Sequence, residues 1–371
     1  MPRQNEHVIF ESFEQQLGNM VARKKDLKHA LCLIHSDKHD LHWKYAVGTT
    51  GPQNEPIHVD QPYHIASIGK TFTSMLVARL HERGTLQYDD PIAKYLSAEM
   101  LRGLFVYTGV DYADQVLVRQ LLNHTSGVAD YYEDKPLRGK SMKVLAVEEP
   151  DRFWTPDDLI SYSRNNQRAF SAPGKRFHYS DTGYALLGKI VEQVSNRSFH
   201  ENLHAEIFDP LGMEHSCFHL RSEPKDCSSY PMADVYLGEH EVSSFQSFSI
   251  DWAGGGIVST MEDLLRFHQA LVKNTIISRE TLERCKQDVG RFGFGMDYGY
   301  GILHLKINQL GLIMPKALNM WGNFGSFGSY MFYNPVHDVY IIGAFNHSNY
   351  VVKQVQFMIN VIRKLHKHYR S

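Results

Sequence analysis

A chain of 371 residues with 39 Lys and Arg against 41 Asp and Glu, a formal net charge of -2, offers no basic block to hold a nucleic acid. Its length allows a large core and two lobes, and no apolar run approaches what a bilayer crossing needs. The start, MPRQNEHVIFESFEQQ, meets acidic and amide residues before any apolar stretch, and Cys32, Cys217, Cys227 and Cys285 lack metal-type spacing; both features give the expectation of a cytoplasmic protein with reduced thiols.

In chain order, residues 8–24 carry an amphipathic helical period, and 29–35 and 41–48 read as two strands around the polar turn 36–40. Phe72, Met75, Leu76 and Leu80 then recur at helical spacing, so a buried helix is expected within 63–80, closing at Gly84. Helices follow at 117–123, at 155–165 with Thr155 as cap ahead of Pro156, at 183–195 and at 198–208. Residues 221–249 are polar and aromatic by turns, too long for a plain connector, and are expected to shape a pocket. Strand patterns return at 300–306, 329–333 and 339–346 before a closing amphipathic helix, 351–369.

Strands at both ends with helices between them predict an α/β fold of the α+β type. One antiparallel sheet would be built from the N- and C-terminal segments and flanked by helices, with a mostly helical lobe inserted. The expected division is 1–80 with 276–371 as the sheet domain and 81–275 as the lobe, with a small-molecule cleft at the seam.

The chemistry concentrates at the head of the 63–80 helix. Ser67 stands where that helix should begin and Lys70 follows one turn on, so both side chains share a face. A serine hydroxyl is a poor nucleophile until a base takes its proton. A lysine destabilised by burial or by the positive end of a helix dipole is such a base. The four-residue pattern is common by itself. A second copy, Ser222-Glu223-Pro224-Lys225, sits in a polar run with no apolar period, and an N-cap serine followed by a solvated lysine spells the same letters.

His200-Glu201-Asn202-Leu203-His204 offers a rival chemistry, the His-Glu-x-x-His helix of zinc proteases. Phe199, Leu203 and Ile207 would form the buried stripe of that helix, which turns both histidines towards water. No third ligand is signalled downstream, and the expectation is no metal and no cofactor.

Further stretches follow the serine in order: Leu121 to Gly127 (LLNHTSG), Pro173 to Tyr184 (PGKRFHYSDTGY), Ile207 to Met213 (IFDPLGM), Ala253 to Thr260 (AGGGIVST) and Gly322 to Gly328 (GNFGSFG). Over residues 60–347 the set resembles the serine hydrolases related to class C β-lactamases and D-alanyl-D-alanine carboxypeptidases, a group that includes esterases and D-amino-acid amidases. The resemblance implies Ser67 as acylated nucleophile, Lys70 as its base and Tyr179 as proton relay to the leaving group. It also implies an oxyanion hole made by the N–H groups of Ser67 and Ser326. Gly325 and Gly328 fit a strand that a substrate backbone approaches closely, and fit a bulge equally well. Glycines 254 to 256 read as a tight turn packed against the cleft.

Two positions depart from that group. Asp181 stands two residues after the tyrosine where Asn is usual, and a carboxylate beside Lys70 favours the ammonium over the base. Asn323, in Asn323-Phe324-Gly325, stands where Lys-Thr-Gly or His-x-Gly is usual, and supplies no positive charge for a substrate carboxylate. The expectation is a serine hydrolase working through an acyl-enzyme on a small-molecule or peptide substrate, an ester or amide without a terminal carboxylate. The alternative is a binding or structural protein on the same scaffold, its catalysis weakened by Asp181 and Asn323. The oligomeric state is left open.

Overall fold

The computed structural model describes residues 4–310 and 314–370. A long helix, α1 (Gln4–Arg23), leads into the strands β1 (His29–Ser36), β2 (Leu41–Thr50) and the short β3 (Glu55–Pro56). The buried helix α2 (Gly69–Glu82) follows, and α3 (Asp181–Ser195) and α4 (Met261–Val272) come later in the chain. The chain then lays down β4 (Gly290–Gly293), β5 (Met296–Tyr298), β6 (Leu303–Leu305), β7 (Met320–Phe324), β8 (Ser329–Asn334) and β9 (Val339–Ala344), and closes with α5 (Val351–Arg370).

Among the described residues these strands form one nine-stranded sheet in the order β4-β5-β6-β7-β8-β9-β1-β2-β3. Its neighbours pair antiparallel throughout, as in Leu33 opposite Ile342 across β1 and β9. The fold is therefore mixed α/β, with a large antiparallel sheet drawn from both ends of the chain and flanked by helices. The two-residue period of β1 explains the layering. Leu31 and Leu33 point into a core shared with α2, α3 and α4, while Ala30, Cys32 and Ile34 point into a second core shared with α1 and α5. A central strand covered on both faces favours apolar residues on each, and β9 and the middle of β1, residues 30–34, are accordingly apolar.

Helix α2 is buried along nearly its whole length. Phe72 stacks on Phe267 of α4 with ring centroids 3.7 Å apart. Helix α3 starts where Ser180 Oγ accepts from the Gly183 N–H and stops at Asn196, whose φ of +55° gives a left-handed cap.

Several elements differ from the sequence reading. The strand expected over 300–306 shortens to Leu303–Leu305, because Gly301 at φ +65° and a Gly299 N–H bond to the Ile302 carbonyl make a turn of its first residues. The helix expected over 198–208 is α-helical only to Leu203 and widens into a π-turn at His204–Phe208. Residues 221–249 form a small hairpin, Tyr236–Leu237 with His240–Glu241, and run into a 3-10 turn, Gln246–Ile250. Their Leu237, Val242 and Phe248 enclose a small void beside Asp251 rather than the main cleft.

Candidate active site

The site is built where the head of α2 meets β7 and β8. Ala66 has φ +48°, a left-handed conformation that a residue with a Cβ rarely enters, and its N–H donates to His64 Nδ1 at 3.2 Å. Ser67 follows in a 3-10 turn, Ala66–Ile68, so the serine stands just ahead of the helix rather than inside its first turn. The turn is braced from the sheet. Ser329 Oγ donates to the Ile65 carbonyl at 2.7 Å, and Asn323 Nδ2 lies 3.2 Å from the Ser67 carbonyl.

A Cβ on Gly325 would sit 2.6 Å from the Ile65 carbonyl oxygen and 2.7 Å from Ala66 Cβ, so only glycine allows this approach. Gly325→Ala should therefore destabilise the fold by about 1–3 kcal/mol, read as a lower urea midpoint. An unchanged midpoint would contradict the close packing of the two turns.

Lys70 is buried to 1% exposure, and its ammonium has a partner for each proton. Nζ lies 3.2 Å from Ser67 Oγ and 2.8 Å from the Gly254 carbonyl, and donates to Asp181 Oδ1 in a close ion pair. Burial works against the charged form, but the Asp181 carboxylate outweighs it, and the Lys70 pKa lies above the ordinary lysine value. Glycine at 254 is required by the same contact, since a Cβ there would meet Asp181 Oδ1 at 2.4 Å. The Gly254–Gly256 run, part of a short helical turn, thus presses against the lysine and the nucleophile turn together.

Tyr179 lines the same cleft as Ser67, with Lys70 Nζ 4.8 Å from its ring centroid. Burial and then the Asp181 charge hold its phenol's pKa well above the usual value. It is a neutral hydroxyl at working pH, able to donate and to pass on a proton but not a resting phenolate. His124, itself at φ +58°, tilts against the Tyr179 ring at 4.3 Å and accepts the Ser180 N–H at 3.0 Å, fixing the tyrosine's segment. Burial pushes His124 well below the ordinary histidine value, so it packs as a neutral ring.

Ser67, Tyr179, Asp181, Asn323 and Ser326 line one cleft of about 310 Å³. The Ser326 N–H has no acceptor among the described residues and is free for an incoming oxygen. The Asn323 amide is engaged from several sides. Its side chain is 2% exposed, and its amide nitrogen lies within 3.3 Å of the Ser67 and Gly301 carbonyls, Thr71 Oγ1 and the Tyr298 hydroxyl. Its oxygen accepts the Phe324 N–H. The amide braces the nucleophile turn and is not offered to a substrate. Of its aromatic neighbours in sequence, Phe324 lines the cleft, whereas Trp321 packs on His268 and Phe327 on Phe248.

Sequence reasoning missed two acids, the buried Asp130 and the half-buried Asp251. Asp130 Oδ1 accepts the Asp181 N–H at 3.2 Å, and burial followed by the Asp181 charge raises its pKa well above the usual range. Asp251 lines the cleft, and burial, then Asp181, push it up to about 7. Neither belongs to a recognisable spacing; the fold alone brings them to Lys70.

The rival sites do not assemble. Glu201 bonds back to the Ser198 N–H, while His200 and His204 reach Ser198 and Ser222 respectively. No cluster of three His, Cys, Asp or Glu that could hold a metal occurs among the described residues. Lys225 leans towards Glu214 rather than Ser222.

Three likenesses to known proteins bear on this arrangement. The sequence is 29% identical over 261 residues to penicillin-binding protein 4* of Bacillus subtilis, covering 67% of this chain and 53% of that one. The chain spans a little over half the length of the first curated relatives it matches. Among solved structures, a D-stereospecific amidohydrolase from Streptomyces sp. superposes with TM-score 0.74 at 24% identity, covering 91% of this chain and 94% of the other. A D-amino acid amidase from Ochrobactrum anthropi superposes with TM-score 0.75 at 21% identity, covering 98% and 99%. These two likenesses show a shared fold. The family model described as Beta-lactamase matches residues 23–356, nearly the whole chain, and the chain belongs to the beta-lactamase family.

Proposed function

We propose that the protein is a serine hydrolase that forms an acyl-enzyme on Ser67 from an ester or amide substrate. The observation that carries this reading is the placement of Lys70 Nζ 3.2 Å from Ser67 Oγ, in a cleft that also holds Tyr179 and the free Ser326 N–H. Lys70 rests as an ammonium held by Asp181, and becomes competent as rising pH takes its proton to solvent. The amine then takes the Ser67 proton as Oγ attacks the carbonyl carbon. The N–H groups of Ser67 and Ser326 hold the developing oxyanion. Tyr179 hands a proton to the leaving group, and its neutral phenol suits that part. Water later attacks the acyl-enzyme with the same groups in reverse roles.

The substrate class follows from what the cleft lacks. Asn323 is engaged internally, and Arg221 turns to the Trp154 carbonyl, so neither meets a substrate carboxylate. A buried carboxylate left unpaired costs several kcal/mol. p-Nitrophenyl butyrate should therefore be turned over with a higher kcat/KM than a chromogenic cephalosporin, and should show a burst of about one p-nitrophenol per chain before the steady rate. A higher kcat/KM on the cephalosporin would overturn the substrate assignment, and the absence of any turnover would overturn the hydrolase reading.

A further inference from the structure

The charges lining the cleft do not balance. Asp181 is paired with Lys70, and Glu133 with Lys143 at 2.5 Å, but among the described residues the Asp251 carboxyl has no ion-pair or hydrogen-bond partner. Burial and repulsion from Asp181 act on its carboxyl, opposed only by the more remote charge of Lys70, and no hydrogen bond relieves it. It stands on the cleft wall at the junction of the turn Gln246–Ile250 with the turn Trp252–Gly255, whose Gly254 carbonyl holds Lys70. One carboxylate in excess, half-enclosed and facing a cavity that opens on the nucleophile, calls for one positive charge from outside the chain.

The rest of the wall suits the same guest. Tyr132, Phe292, Tyr298 and Phe324 line the cavity with Asp251, and aromatic faces attract a cation while tolerating the apolar carbons that carry it. A guest bearing a carboxylate would meet Asp251 as a repulsion and find no free cation. Resting on the acyl-enzyme reading, we propose that the substrate carries a protonated amine near its scissile carbonyl, and that the Asp251 carboxylate binds this ammonium. The substrate class is thus an aminoacyl ester or amide with its amine unblocked.

The test compares kcat/KM for alanine p-nitroanilide, whose amine is free, with N-acetylalanine p-nitroanilide, using the more reactive enantiomer of each near neutral pH. Wild type should favour the free amine by about tenfold or more, the scale of a partly desolvated charge pair. Asp251→Asn should bring that ratio close to one, and Asp251→Glu should keep most of it. Because the ratio is internal to each variant, it is read even where a variant is less stable.

Equal or faster turnover of the N-acetyl substrate by wild type would overturn the amine proposal, as would a ratio unmoved in Asp251→Asn. The burst on p-nitrophenyl butyrate separates the two claims. With a burst present, an absent amine preference overturns the amine proposal alone. With no burst and no anilide turnover, the hydrolase reading falls and takes the amine proposal with it.

Discussion

Lys70→Met should lower kcat/KM on p-nitrophenyl butyrate by about 10²–10⁴-fold, the range over which a positioned general base contributes. Methionine keeps the length and much of the volume of the lysine stem, so the cavity around α2 stays filled. What it removes is the amine that reaches Ser67 Oγ, together with the partner of Asp181. Asp181 and Lys70 are 7% and 1% exposed, so a lone Asp181 carboxylate would be buried without its counter-charge. Breaking such a pair from one side typically costs about 3–5 kcal/mol of stability. The double variant Lys70→Met/Asp181→Asn should recover most of that loss in urea unfolding, since no charge is then stranded. It should recover none of the activity. Restored turnover in the double variant would mean that Lys70 holds the fold but does not activate the serine.

Asp181→Asn should act on pH dependence. In the native protein burial favours the neutral amine of Lys70 and the Asp181 charge favours the ammonium, with the charge prevailing. The free amine therefore accumulates only as pH rises through a raised pKa. Removing the carboxylate leaves burial as the larger influence, which pushes the lysine down. The limb on which kcat/KM rises with pH should move to lower pH by at least about one unit, equivalent to about 1.4 kcal/mol between the two protonation states. Tyr179 and Tyr298 stay protonated across this range because burial holds both above the ordinary tyrosine value. Asp251 titrates near 7, so its own ionisation is best kept silent by a neutral ester substrate. An unmoved or rising inflection would mean that another group sets the limb.

The architecture was legible where one physical signal dominated a stretch of chain. β1, β8 and β9 are mainly apolar runs, β2 mixes polar and aromatic residues across a polar turn from β1, and α2 and α5 carry a helical period, so the sheet built from both ends followed from pattern. β4 and β7 were missed because Gly290 and Gly293 frame the first, and Met320–Phe324 includes a glycine and a buried asparagine with no alternation. α4 carried a signal that was overlooked: Thr260 accepts the Asp263 N–H as an N-cap, with Glu262 and Asp263 in the first turn. The site was legible only where its residues lie close in sequence. Ser67 and Lys70 share one turn of chain. Asp130 and Asp251 arrive from distant loops, and the inward direction of the Asn323 amide is set by Gly301 and Tyr298, which no local spacing announces. A likeness of motifs places a residue at a position; packing decides which way its side chain faces.

The claim on which the rest depends is that Ser67, and no other serine, is the nucleophile. Its hydroxyl has Lys70 and Tyr179 beside it and a cavity in front, whereas Ser222 Oγ is engaged by His204 and by the Phe218 N–H and lines none of the clefts described here. Intact mass after treatment with a fluorophosphonate should show a single adduct per chain, and the digested protein should carry it on the peptide containing Ser67. The same treatment should leave Ser67→Ala unmodified. An adduct on Ser222, or label persisting in Ser67→Ala, would contradict the account.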